Sequence, residues 1–313
     1  MNVFLLAALA GALGVLPTLC RRWTRRVHPA VATKAVAASL AGALLATELT
    51  AVTLGAPVVL RAAGAHGLAV RCAWMARHVV VGSPWMGWPA AISALILPWT
   101  VSVGFRRARN AQRGLHEVAL LGRPVSLVDH NVVIVGSSTP VAVSVAAHGG
   151  VVVVSDSLVE QLTEGELAAV LRHERAHLDH RHHVLLLLAA ATDCGLGILP
   201  WVRSSVGQLR CSIERWADED AAGPDLVSRQ STKRALLGVA VGGLSVDIAA
   251  FGGLGTVVER IAALEVPAPV RTVRRSLLTL APLATLLVGM LFTLAVVTAN
   301  FWLVLTMPKF CAG

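Results

Sequence analysis

The sequence predicts an α-helical membrane protein with four transmembrane helices and a folded α+β domain inserted between the third and the fourth. Three observations predict it. The 313 residues are 55% hydrophobic and only 14% charged, with a mean hydropathy of +0.69, whereas soluble domains carry about 25% charged residues. The apolar residues collect into long runs at 2–19, 35–60, 84–104 and 277–306. Between the last two runs the pattern changes to alternating strands and a capped amphipathic helix. This composition excludes a disordered chain and an ordinary soluble enzyme.

Residues 2–19 are an uninterrupted apolar run. Its basic residues follow it, and Pro17-Thr18-Leu19 before Cys20 is not a small-residue cleavage site, so an uncleaved span is expected. Twelve of the 27 basic residues flank the runs: Arg21, Arg22, Arg25, Arg26 and Lys34; Arg106, Arg107, Arg109 and Arg113; Arg271, Arg274 and Arg275. The positive-inside rule places all three clusters in the cytoplasm. That puts the N-terminus outside, residues 105–275 inside and the C-terminus outside, in the plasma membrane. Arg61, Arg71 and Arg77 in the 61–83 loop run against this asymmetry. The expected organisation is three spans in 1–104, a cytoplasmic domain in 105–275, and the fourth span with a short tail in 276–313. The remaining 15 basic residues face 18 acids, so no basic face is left for direct nucleic-acid binding. The five cysteines show no CxxC spacing, which argues against a disulfide framework or a thiolate metal site.

Within 105–275, residues 125–135 and 141–145 read as strands, Gly149-Gly150 as a turn, and Val151–Val154 as a buried or edge strand. Ser157 with Glu160, and Thr163 with Glu166, fit the capping-box spacing. The second box opens a helix over about 164–181, with Leu167, Val170, Leu171 and Leu178 on its apolar face.

That helix carries His173-Glu174-Arg175-Ala176-His177, an HExxH pattern. Two histidines four apart share a helix face, so both rings can reach one metal ion. Glu174, beside the first, can act as general base on a water at that metal. A catalytic zinc takes three protein ligands and leaves one position open, which predicts one Zn2+ per chain. Residues 209–222 supply the third ligand, Glu214, and Asp218 four residues later can accept the second ring N–H of a ligating histidine. His173 and Glu214 must lie on one side of the membrane. The apolar run 184–202 between them is therefore expected to turn back, near Pro200, without crossing. With no tyrosine in the chain, the oxyanion partner is left open among His180, His182, His183, Arg215 and Arg229. A substrate strand is expected along Val151–Val154. Glu48, near the middle of the second run, reads as a protonated carboxyl hydrogen-bonded to another span, with Asn300 as a partner.

Three spans, HERAH, an apolar return ending in ILPWV, then IERWAD and a fourth span resemble the BlaR/MecR family of membrane gluzincin metallopeptidases. The resemblance implies a gluzincin-type zinc peptidase domain with His173, His177 and Glu214 on zinc, Glu174 as base and Asp218 behind a ligand. It further implies cleavage of a cytoplasmic protein, a winged-helix repressor, in an antibiotic or cell-wall stress response. Two departures stand out. The last run ends seven residues before Gly313, so the family's extracellular penicillin-binding sensor is expected to be absent, with sensing supplied by a separate protein. His182 also stands where many relatives carry an Asp. The alternative is an HtpX-type quality-control protease, which divides its spans differently around the motif. Further alternatives are a metal transporter, disfavoured by the charged residues around the motif helix, and an inactive signalling scaffold.

Overall fold

The structure, a computed structural model, describes residues 3–70, 87–127, 130–146, 149–242 and 254–265. The expected fourth span, the Arg271–Arg275 cluster and Asn300 lie outside the described residues. The N-terminal apolar run is helix α1 (Val3–Leu19), followed by one turn, α2 (Arg21–Thr24), and the long α3 (Pro29–Ala62). Helix α3 starts where the sequence directs it: His28 Nδ1 accepts from the amide of Ala30 at 3.2 Å, and Pro29 occupies the first turn, where a missing N–H costs nothing. Helix α4 (Gly87–Leu121) does not stop at the expected end of the third run at residue 104; it continues through Arg106–Arg113 to Leu121. Nothing in 105–121 breaks a helix, since glycine and proline are absent there apart from Gly114. Among the described residues, α3 and α4 are the two helices long and apolar enough to cross a membrane.

A four-stranded sheet follows: β1 (Arg123–Leu127), β2 (His130–Val135), β3 (Ala142–Val145) and β4 (Val151–Ser155), in the order β1-β2-β4-β3. The expected single strand over 125–135 is in fact an antiparallel hairpin, with Leu127 opposite His130. Strand β4 is also not an edge. It pairs in parallel with β2 and antiparallel with β3, so β1 and β3 are the edges among the described residues. Its valines split by period two. Val152 and Val154 join Leu158, Leu167, Val170 and Leu171 on one face, while Val153 meets Val145 and Ala119 of α4 on the other.

Helix α5 (Asp156–Gln161) is capped by Ser155, whose Oγ accepts from the Leu158 amide at 3.2 Å; the expected Ser157–Glu160 box does not form, because the helix begins two residues earlier. The Thr163–Glu166 box opens α6 (Glu164–Asp179), with the Thr163 amide donating to Glu166 Oε2 at 3.0 Å. Leu167, Val170 and Leu171 lie buried against the sheet, each side chain contributing about 1.5–3 kcal/mol. A charged residue at Leu171 would break this contact.

Arg181 adopts φ +52°, the left-handed region, and reverses the chain after α6. Helix α7 (His182–Leu196) then packs along α4 and α3, a turn at Gly197–Leu199 follows, and α8 (Pro200–Ala222) returns. Its 15 residues rise about 22 Å, short of the roughly 30 Å of a bilayer core. The return predicted for 184–202 is therefore a helical hairpin leaning on α3 and α4. The approach is close: a Cβ on Gly104 of α4 would lie 2.6 Å from the carbonyl oxygen of Ala190 and 2.8 Å from Cys194 Cβ. Helix α8 is tied to α1 by Ser205 Oγ, which donates to the Gly14 carbonyl at 2.8 Å. Helices α9 (Leu226–Gly242) and α10 (Leu254–Glu265) close the domain over α8.

Candidate metal centre

Helix α6 presents His173 and His177 one turn apart, and α8 presents Glu214 and Asp218 one turn apart, across a shared interface. Arg172 Nε, donating to the Ala221 carbonyl at 3.0 Å, fixes how the two helices sit. His173 Nε2 lies 3.4 Å from Glu214 Oε2, His177 Nε2 lies 3.7 Å from Glu214 Oε1, and the two Nε2 atoms are 3.2 Å apart. Three donor atoms on a tetrahedral ion at zinc–nitrogen and zinc–oxygen distances would be about 3.4 Å from one another. The triangle has that size, and its side chains are 14%, 11% and 27% exposed, open enough for a water and a substrate. His173, His177 and Glu214 could therefore hold a metal ion.

The surrounding contacts set the tautomers such a site needs. Asp218, buried, accepts from His173 Nδ1 at 3.0 Å, which turns the Nε2 lone pair toward the triangle. His177 Nδ1 lies 3.0 Å from His182 Nδ1. For His177 to offer its Nε2 lone pair, its Nδ1–H must donate to His182. The proton of His182 then sits on Nε2, a buried atom without a hydrogen-bond partner. His182 thus presents an acceptor nitrogen to His177, and the Trp216 ring stands beside it at 4.9 Å.

Electrostatics follow from burial against partners. Burial disfavours a charged His173, but the carboxylates of Asp218 and Glu214 outweigh it and push its pKa up to about 10. Burial lowers His177, and burial with the neighbouring imidazoles pushes His182 down to about 3. Burial works against ionisation of Glu214 and Asp218, yet Arg260 and the histidines win. They hold Glu214 far below the carboxylate range and Asp218 down to about 2.

Arg260 on α10 is a site residue that sequence reasoning missed. Its Nε and Nη2 donate to the two oxygens of Asp218, both at 2.7 Å, and its Nη1 lies 3.3 Å from Glu214 Oε2. A signal existed: Val257, Arg260, Ile261 and Leu264 fall on one face of α10, so a lone arginine sits in an apolar stripe and requires a buried anion. Glu174, half-buried, follows His173 on α6.

The candidates for oxyanion stabilisation separate. His182 is committed to His177, His180 pairs with Asp220 and stacks on Trp216, and Arg229 donates to both oxygens of Glu219 at 2.9 and 3.2 Å. Arg215 faces a cavity with Arg21 and Arg25. Asp193, in the return hairpin, lies 3.7 Å from Arg210. Glu48 keeps one carboxyl oxygen buried without a partner among the described residues.

Residues 106–209 match the model of Peptidase family M48. The match spans the end of α4, the sheet, the HExxH helix and the start of α8, and stops five residues before Glu214. No curated protein matches the chain, and neither does any solved structure. The M48 match and the His/His/Glu cluster support a metal-dependent peptidase.

Proposed function

We propose that the chain is an integral membrane zinc metalloendopeptidase that cleaves a cytoplasmic protein, a transcriptional repressor in a BlaR/MecR-like antibiotic or cell-wall stress response. The observation that carries this reading is the convergence of His173, His177 and Glu214, with Asp218 accepting the remaining N–H of His173. The orientation with the peptidase domain in the cytoplasm rests on the three basic clusters.

A zinc ion held by these three side chains would acidify a water and polarise a carbonyl. Glu174 takes the proton of the attacking water and delivers it to the leaving amide nitrogen. Asp218 holds His173, and His182 holds His177, so that neither ring turns away. Strand β3 (Ala142–Val145), against which α6 packs, is an edge among the described residues and offers that edge to an extended substrate segment; it takes the place first expected for β4.

A second reading, an HtpX-type quality-control protease, uses the same residues, and the family match carries a general peptidase name that does not itself point to a repressor. Proteomics of cells with wild-type protein or Glu174→Ala separates the two. A single cytoplasmic regulator cut by the wild type alone supports repressor cleavage. Many cut membrane proteins support quality control. Equal cleavage in both strains, with zinc retained in the variant, refutes the peptidase assignment.

A further inference from the structure

Beside the metal centre, along the flank of α8 that carries Gln208, Cys211 and Arg215, lies a cavity of about 210 Å³ lined by Arg21, Arg25, Cys211, Arg215 and Glu259, with Gln208 and small polar residues between them. Its charged lining is three arginines and one carboxylate, an excess of two positive charges. Glu259 is already shared: Arg25 Nε lies 2.7 Å from its Oε1, and Arg21 Nη2 lies 3.4 Å from its Oε2. Arg215 is 9% exposed overall, and its Nε has no hydrogen-bond partner. Its Nη2 donates to the Arg25 carbonyl at 3.3 Å. A guanidinium this buried is ordinarily satisfied by an anion, because a bare buried charge is costly. No carboxylate lies within ion-pair distance of Arg215 among the described residues.

We propose that this cavity binds a phosphate group, carried by the headgroup of an anionic lipid. Its size and donors fit a tetrahedral oxyanion, for which arginine forks are suited. Its place favours a headgroup over a diffusing phosphate. Arg21 and Arg25 directly follow α1, the first apolar helix, so on the membrane reading the cavity opens at headgroup depth. The site is also coupled to the metal centre by covalent neighbours. Arg215 follows Glu214 on α8, and Glu259 precedes Arg260 on α10. An anion that draws Arg21, Arg25 and Arg215 together would tighten α2 and α10 against α8 and steady the neighbouring Glu214. Headgroup binding would thereby tie the site's geometry to the surrounding bilayer.

Cys211 lies in the cavity and reports on its occupancy independently of peptidase activity. Full-length protein with the other four cysteines replaced by serine, in maltoside micelles, is treated with a maleimide while phosphatidylglycerol or inorganic phosphate is added. Phosphatidylglycerol should slow modification of Cys211 several-fold. Slowing by the lipid alone supports a headgroup site. Slowing by both probes supports phosphate recognition with the lipid as one of its carriers. Arg25→Gln at the rim and Arg215→Gln inside should each raise the half-saturating probe concentration about tenfold, the loss of one charge-assisted hydrogen bond. No slowing by either probe, equal slowing by sodium chloride at matched ionic strength, or unchanged protection in both variants overturns the proposal.

Discussion

Replacing Arg260 by Met tests how the metal centre is held. Arg260 and Asp218 are 7% and 4% exposed at the side chain and share two 2.7 Å bonds, so solvent screening is minor. Removing the cation leaves a buried carboxylate with only His173 as partner, which costs about 3–5 kcal/mol. For a unit of this size that is a fall in unfolding midpoint of roughly 10 °C. Two effects then compete at the metal. Deleting a positive charge 3.3 Å from Glu214 favours a divalent cation. Releasing Asp218 and Glu214 from their common anchor misplaces a ligand and the group that orients His173, which ordinarily lowers metal affinity about 10–100-fold. The second effect should win, because a cation needs three donors converging within a few tenths of an ångström, whereas the charge gain is diluted once water enters the gap. Thermal unfolding with and without zinc, together with zinc titration against a chelator, measures both quantities. Arg260→Met should unfold earlier and bind zinc at least tenfold more weakly, and Arg260→Lys should recover part of the stability without the affinity. Zinc binding in Arg260→Met as tight as wild type, or tighter, would refute the anchoring role.

Other outcomes follow from the same geometry. His182→Asp places a carboxylate oxygen close to the position of His182 Nδ1, so zinc affinity should hold or rise, while His182→Ala should lose roughly tenfold; equal affinity in all three proteins would remove His182 from the site. In the metal-free protein His173 holds a proton up to about pH 10, from an ordinary 6.5, because Asp218 and Glu214 outweigh burial. The raised value means that its contribution to apo-protein stability is complete below pH 6.5 and is lost as pH rises through 10. His177 is lowered and carries no such proton, so zinc must displace one proton and its affinity should climb about tenfold per pH unit between pH 7 and 9; a flat profile in the chelator titration would contradict this. Gly104→Ala drives a methyl to 2.6 Å from the Ala190 carbonyl oxygen and should cost about 1–3 kcal/mol, read as a lower unfolding midpoint, whereas an unchanged midpoint would mean that α4 and α7 do not pack as described.

Much of the site is local and was legible in the sequence. The Thr163–Glu166 box, the Leu167–Leu171 stripe and the i,i+4 histidines all belong to one helix, whose geometry follows from its own residues. Glu214 and Asp218 were legible for the same reason, as a second i,i+4 pair at a plausible separation. The strands were partly legible. Valine-rich runs mark where they lie, but pairing depends on residues far apart in sequence, so the run 125–135 alone does not reveal a hairpin and Val151–Val154 alone does not reveal whether it is buried or an edge.

The chain by itself determined its apolar runs, its basic flanks and the chemical identity of two imidazoles and a carboxylate on helical faces. Only the tertiary structure decided that Arg181 and the Gly197–Leu199 turn fold α7 and α8 into a returning hairpin against α3 and α4, and that α10 brings Arg260 onto Asp218. The reason lies in range: helix periodicity is encoded within a few residues, whereas the meeting of groups 40 or more positions apart depends on how several packed surfaces fit at once.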